Sequence, residues 1–328
     1  MSVAMRRRRI LRAAALLPGA MVMRAAQAQP RYPARTVRII APVAPGGGVD
    51  RVARTVAERL TSTMNGSFVV ENMAGGGGVI ASQTVARAAP DGYTLMVGYV
   101  GTHGTAPAVR KLPYDAVRDF SPVAMVGGTP NVLVVSATLR IDSLAGFLAY
   151  ARDKSTRLSY GSAGPGSLTH LAMEQFKQSA DIAAVHVPYR GIGPAIVDAI
   201  SGQVQCMFPG LAAALPHIRS GRLVALAVTG PRRHALVPLV PTLEQSGFRG
   251  FDGVQWYGIV GPAGLPEAIV QRLNDEINAM LASPELRDGL ASEALDPMPM
   301  TPARFGEYIA ADIARWAALV RERKLELE

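Results

Sequence analysis

Serine and histidine are the residue types in this chain most able to carry covalent chemistry, and the run "YGSAGPGSLTH" sets Ser162, Ser167 and His170 close together. Such a pairing suits acyl transfer, with the imidazole taking the hydroxyl proton. The local pattern resists that use. Tyr160 stands where a G-x-S-x-G elbow needs its first glycine, and no Ser-x-x-Lys occurs in the chain. The other histidines, His103, His186, His217 and His234, are scattered without metal-ligand spacing. No catalytic residue, metal or cofactor is assigned. A Ser/His set assembled only by folding, from Ser162 or Ser167 with His170 or His103, stays open, so an exported serine hydrolase is the alternative reading.

Glycine offers a different chemistry. The turns "APVAPGGGVD", "NMAGGGGV", "SAGPGS" and "YRGIG" each follow a strand-like run and precede a helix-like one. Glycine lets a backbone approach a ligand closely, and a helix start presents free N–H groups and a positive dipole end. An anion is the natural guest. Nucleotides lose their usual signatures, because Arg51 occupies the third glycine position of G-x-G-x-x-G after Gly46 and Gly48. No Gly-Lys-Ser/Thr occurs either. Asp50 falls in the first turn of the following helix, where the dipole stabilises a carboxylate whatever binds, and Ser167 is placed to cap its helix.

The elements that position these turns repeat. "TVRIIAPV" predicts a strand, and "VDRVARTVAERL" spaces Val49, Val52, Ala53, Val56, Ala57 and Leu60 for one helix face. "SFVVEN", "GGGGVIASQTVARA" and "TLMVGY" continue the pattern. It returns in "RLSYGSAGPGSLTHLAMEQF" and "AAVHVPYRGIGPAIVDAISG", closed by the strand-like "QVQCMF". Strands alternating with helices imply parallel pairing and two similar α/β domains. Chain crossings near 130 and 253 would carry the C-terminal helices, among them "PELRDGLASEAL" and one capped by Thr301 and Pro302, back to the first domain. Trp256 is read as packing at that hinge, and Cys206, in the alternating run, as a buried inert thiol.

Residues 1–28 read as an export signal, by the twin-arginine or the general secretory route. That segment holds six arginines and no acid, so its removal leaves 28 basic groups against 25 acidic ones and lowers the net charge from +9 to +3. The basic balance therefore belongs largely to the signal, and no nucleic-acid partner is inferred. No apolar run after it is long enough to insert in a membrane.

The ordered series "APVAPGGGVDRVAR", "VVENMAGGGGVIAS", "APDGYTLMVG", "YGSAGPGSLTHLAMEQF", "VHVPYRGIGPAIVDAISGQV", "LPHIRSGRLVALAVTG", "VPTLEQSGF" and "WYGIVGPAGLP" resembles the tripartite tricarboxylate transporter receptors, the Bug solute-binding proteins. That resemblance implies an α/β type II periplasmic-binding-protein fold, with two lobes, a ligand cleft and two crossover strands. Lobe 1 is expected over 29–129 and 254–328, and lobe 2 over 130–253. The expected function is capture of a small organic carboxylate in the periplasm and delivery to a two-subunit membrane permease; ligand sensing without a permease is a further alternative.

Carried residue by residue, the resemblance points to Pro42, Ala44, Gly46, Gly47, Asp50, Gly76, Gly77, Gly101, Thr102 and His103 in the first lobe. In the second it points to Ser162, Gly164, Ser167, His170, Tyr189 and Gly191. The chain departs from the family at Ala74, where a proline is frequent, and around Gln205, Cys206, Pro209 and Gly210, where an acid is common. That loss favours a carboxylate without an amine. Arg190 is read as solvated surface.

Overall fold

Val37, Ile39, Ile40 and Ala41 have no exposed surface, because their strand β1 (Val37–Ala41) lies inside a sheet covered on both faces. Arg38 alone faces outward, and it pairs with Glu71 of the neighbouring strand at 2.7 Å. The computed structural model describes residues 32–324 apart from 154, 252, 285–288 and 292–293. The signal expected over 1–28 lies outside the described residues, as does part of the helix expected over "PELRDGLASEAL".

From β1 the chain runs through α1 (Gly48–Met64), β2 (Phe68–Asn72), α2 (Val79–Ala86) and β3 (Thr94–Tyr99). β2 and β3 both pair with β1 in parallel, as the alternation predicts. α1 buries Val49, Val52, Val56, Leu60 and Met64 on one face, and Asn65 ends it in the left-handed region at φ 50°. A π-turn over 101–105 follows β3 and leads into the short α3 (Ala106–Val109). β4 (Phe120–Pro130) then crosses into the second sheet, whose elements are β5 (Val132–Ser136), α4 (Leu144–Arg152), β6 (Ser159–Ser162), α5 (Leu168–Ala180), β7 (Val185–Pro188), α6 (Ile192–Ser201), β8 (Cys206–Met207), α7 (Leu211–Arg219) and β9 (Leu223–Val228). The chain returns in β10 (Val254–Pro262), α8 (Glu267–Ala282), β11 (Asp296–Pro297) and α9 (Pro302–Arg323).

The first sheet has the order β11-β4-β10-β3-β1-β2 and the second β7-β6-β8-β5-β9. β6 pairs in parallel with β7 and β8, repeating the grammar of the first sheet. "QVQCMF" alternates like a longer strand, but β8 keeps only Cys206 and Met207. Pro209 has no N–H for a ladder, and Gly210 already serves as the N-cap of α7. Cys206 is fully buried, and that burial pushes its thiol up, as suits an inert group.

The two chain crossings are tied by one hydroxyl. Thr229 Oγ1 accepts the Asn131 N–H at 2.8 Å and donates to the Gly253 carbonyl at 3.0 Å, while Asn131 Nδ2 donates to the Phe208 carbonyl at 2.7 Å. Beside this clamp, Trp256 has no exposed surface and its indole N–H donates to Asp312 at 2.9 Å. Trp256 is core packing. α9 begins as its sequence predicts, with Thr301 accepting the Arg304 N–H and Pro302 in the first turn. Leu168 and Leu171 of α5 join Trp256, Phe305 and Trp316 in one apolar core, so a helix of the second half is anchored on the first. Each such leucine contributes about 1.5–3 kcal/mol through burial.

Candidate functional site

Three turns of the first half converge. In the turn after β2, Gly75, Gly76, Gly77 and Gly78 all have positive φ, at 141°, 57°, 69° and 91°. Only glycine holds four such conformations in sequence without strain. At Gly78 space is also short: a Cβ there would lie 2.5 Å from Thr102 Cγ2 and 3.3 Å from Pro42 Cβ. The turns after β1, β2 and β3 therefore meet around one glycine. Gly46 and Gly47 face open space instead.

Asp50 is 3% exposed and serves this first turn directly. Its carboxylate accepts the Gly46 N–H at 2.9 Å and the Asn72 amide at 2.8 Å, and Arg54 joins it at 3.0 Å. Asn72 also donates to the Val43 carbonyl at 3.2 Å, so the loop is stapled to the end of β2. Burial opposes ionisation of Asp50, but the bonds from Arg54, Gly46 and Asn72 outweigh it and hold the carboxyl below its ordinary range. Thr102 accepts the Tyr99 N–H, and His103 Nδ1 lies 2.9 Å from the Thr102 hydroxyl. His103 is fully buried edge-on to Phe120, and burial pushes it down to about 3. Its Nε2 has no partner among the described residues. The ring is a neutral member of the core under the turn.

The turn after β6 is more self-sufficient. Ser162 Oγ accepts the Gly164 N–H at 3.0 Å and lies 2.6 Å from His186 Nε2. Thr169 accepts the Ala163 N–H at 2.9 Å, Ser167 donates to the Gly164 carbonyl at 2.7 Å, and His170 Nδ1 accepts the Gly166 N–H at 3.1 Å. That last bond keeps the His170 proton on Nε2. The His170 and His186 rings stack face to face with centroids 4.0 Å apart, and Tyr160 stacks on His186 at 4.9 Å. Burial, aided by His186, pushes His170 down to about 4; burial also lowers His186. Glu174, which accepts from Tyr160 and Lys177, lies behind the stack.

The serine–histidine pairs considered from sequence do not form through side chains. Ser167 Oγ instead accepts the backbone N–H of His170 as the α5 cap. Ser162 finds His186, twenty-four residues away. Ser162 has no exposed surface, so its hydroxyl is not presented to a substrate.

Helix starts differ in a way that bears on binding. α5 is capped by Ser167, whereas the N-caps of α1, α2 and α6 are Gly47, Gly78 and Gly191 and supply no side-chain bond. Their first N–H groups lack a side-chain cap. Tyr189, just before Gly191, turns its phenol to Asp198 at 2.7 Å, and burial with that bond pushes it up to about 12.

Besides the core shared by α5 and α9, the halves approach beside the turns at two places. A Cβ on Gly166 would lie 3.0 Å from Val109 Cγ2, next to Arg110. At the second, Gly48, Arg51, Ala212 and Tyr257 line a cavity of about 20 Å³, room for one water. Sequence reasoning missed His186, Arg110 and Tyr257. His186 and Tyr257 fall inside the motifs "VHVPYRGIG" and "WYGIVGPAGLP", but their places, like that of Arg110, depend on contacts between distant segments.

Residues 52–325 match the family described as tripartite tricarboxylate transporter family receptor. The chain is 36% identical to protein BugT of Bordetella pertussis, over 90% of this chain and 92% of that one. Among solved structures it is similar to R. palustris Rpa4515 with adipate, at 33% identity and TM-score 0.86, over 90% of this chain and 99% of that one. It is also similar to MatC (Rpa3494) from Rhodopseudomonas palustris with bound malate, at 34% identity and TM-score 0.82, over 88% and 100%. The fold is the two-lobed α/β architecture of type II periplasmic binding proteins.

Proposed function

The chain belongs to the tripartite tricarboxylate transporter receptor family, and from that premise we propose that it is an exported periplasmic receptor. It captures a small organic carboxylate between two closing lobes and hands the closed complex to a two-subunit membrane permease. The first lobe comprises 29–129 and 254–328 and the second 130–253, with the Thr229 clamp at the hinge. One ligand carboxylate lies on the turns 42–47, 76–77 and 101–103. The second lobe meets the remainder through 162–170 and 189–191. The receptor performs no chemistry on its ligand.

The observation that carries this reading is the set of glycine N-caps at α1, α2 and α6, without side-chain caps, on turns of both halves. Backbone N–H groups and dipole ends of that kind favour an anion. Relatives that hold adipate and malate support a dicarboxylate class. Around Gln205, Cys206, Pro209 and Gly210 no acid stands ready for an amine, so acidic amino acids are poor ligands. Closure follows because a ligand touching both lobes binds the closed form better than the open one.

A thermal-shift panel of mono-, di- and tricarboxylates, acidic amino acids and aromatic acids tests the reading. A ligand at 100 times its Kd adds about 2.7 kcal/mol and raises the melting temperature. Stabilisation by aspartate or glutamate ahead of every plain acid would reverse the ligand class. Turnover of an ester or amide, lost when Ser162 is replaced, would favour the hydrolase.

A further inference from the structure

Arg110 lies where the glycine turns of the two halves come together. It directly follows α3 in an extended conformation, φ −149° and ψ 155°. Its Nη2 donates to the Gly76 carbonyl at 3.4 Å, and a Cβ on Gly77 would lie 3.1 Å from the same nitrogen. Its chain neighbour Val109 meets Gly166 of the opposite half. One guanidinium thus stands beside the 76–77 turn at the point where the 164–167 turn approaches.

The state of this cation is unusual for its surroundings. Arg110 is exposed, and no carboxylate pairs with it among the described residues. Arg54, one turn after Asp50 on α1, is by contrast held by that carboxylate. The Arg110 bond to Gly76 is long and involves a neutral carbonyl, so it yields readily to a carboxylate. A free guanidinium at an anion site brings what backbone N–H groups lack, a full charge and a planar fork of donors.

We propose that Arg110 selects dianionic ligands: while one carboxylate rests on the first-lobe turns, the Arg110 guanidinium takes the second in a forked contact. The proposal rests on the receptor reading above. Closure strengthens the contact, because the approach of the second-lobe turn removes water from around the pair and lowers the local dielectric. An open lobe leaves the same charge hydrated and costs the free protein little.

Calorimetric titration of the wild type, Arg110→Gln, Arg110→Lys and the control Lys111→Gln tests it, with succinate, glutarate, adipate, malate and monomethyl adipate as probes. Arg110→Gln is expected to weaken the best dicarboxylate by roughly ten- to a hundredfold, the range of a charge-assisted hydrogen bond, at an unchanged melting temperature. Arg110→Lys retains part of the affinity, and Lys111→Gln retains all of it. The monoester, lacking the second charge, binds Arg110→Gln as it binds the wild type. Undiminished dicarboxylate binding by Arg110→Gln overturns the proposal, as does an equal loss for diacid and monoester, which would mean that Arg110 only shapes the turn. A wild type that binds none of the acids removes the receptor reading and this proposal together.

Discussion

Replacing Asp50 by alanine is expected to loosen the first turn well before it touches the rest of the fold. The carboxylate receives three partners, Gly46 N–H, the Asn72 amide and Arg54. Their contributions differ. Arg54 is 55% exposed, so its pair with Asp50 is worth at most about 1 kcal/mol. Gly46 is exposed as well, and water can replace the acceptor it loses. The Asn72 contact is less accessible and charge-assisted, in the class worth about 1.5–3 kcal/mol. A carboxylate in the first turn of α1 adds about 0.3–1 kcal/mol through the dipole. Asp50→Ala should therefore cost about 3 kcal/mol in urea unfolding. Asp50→Asn should cost nearly as much, because one of its new N–H groups must face the Gly46 or Asn72 donor. A double-mutant cycle between Asp50 and Asn72 isolates their coupling, expected above about 1 kcal/mol. A loss below about 0.5 kcal/mol for Asp50→Ala, or no coupling to Asn72, would refute the staple.

Gly78→Ala places a non-glycine residue at φ 91° with its Cβ 2.5 Å from Thr102, and should cost about 2–4 kcal/mol by denaturant unfolding while separating the three converging turns. Thr229→Val removes the hydroxyl that serves both crossings and leaves the Asn131 N–H buried without its acceptor; a loss of about 1–3 kcal/mol is expected, with Thr229→Ser close to wild type. Stability should also fall on acidification. His103 and His170 are pushed down to about 3 and about 4 and His186 is lowered too, so the unfolded chain takes up protons below about 6.5 that the fold refuses. The contribution is whole above that value and is lost as pH falls toward 4. Melting temperatures that stay level between about pH 7 and 4.5 would contradict it.

The strand, turn and helix order was legible because burial on β1 and the apolar face of α1 leave their periods in the sequence. Caps were legible too: Ser167 and Thr301 act locally, on N–H groups three residues on. Long-range pairings left no such trace. Ser162 and His186 meet only because β6 and β7 are parallel neighbours, and the Thr229 clamp joins segments whose proximity depends on the crossing strands. "QVQCMF" misled in length, since alternation marks facing and says little about where Pro209 ends the ladder. His103 shows the same limit from the other side. Its neighbours in sequence are small and polar, yet Phe120 and Tyr114 enclose its ring. The bare glycine caps, by contrast, could be read directly, because a missing side chain is itself a sequence feature.

The most direct test of capture between the lobes is a titration of glycine-¹⁵N-labelled protein with the best acid of the panel, followed by the amide signals of Gly46, Gly47, Gly76, Gly77, Gly164 and Gly191. Capture between the lobes should give saturable shifts in glycines of both halves, with one common affinity. Shifts confined to one half, or no saturable change with any carboxylate, would contradict it.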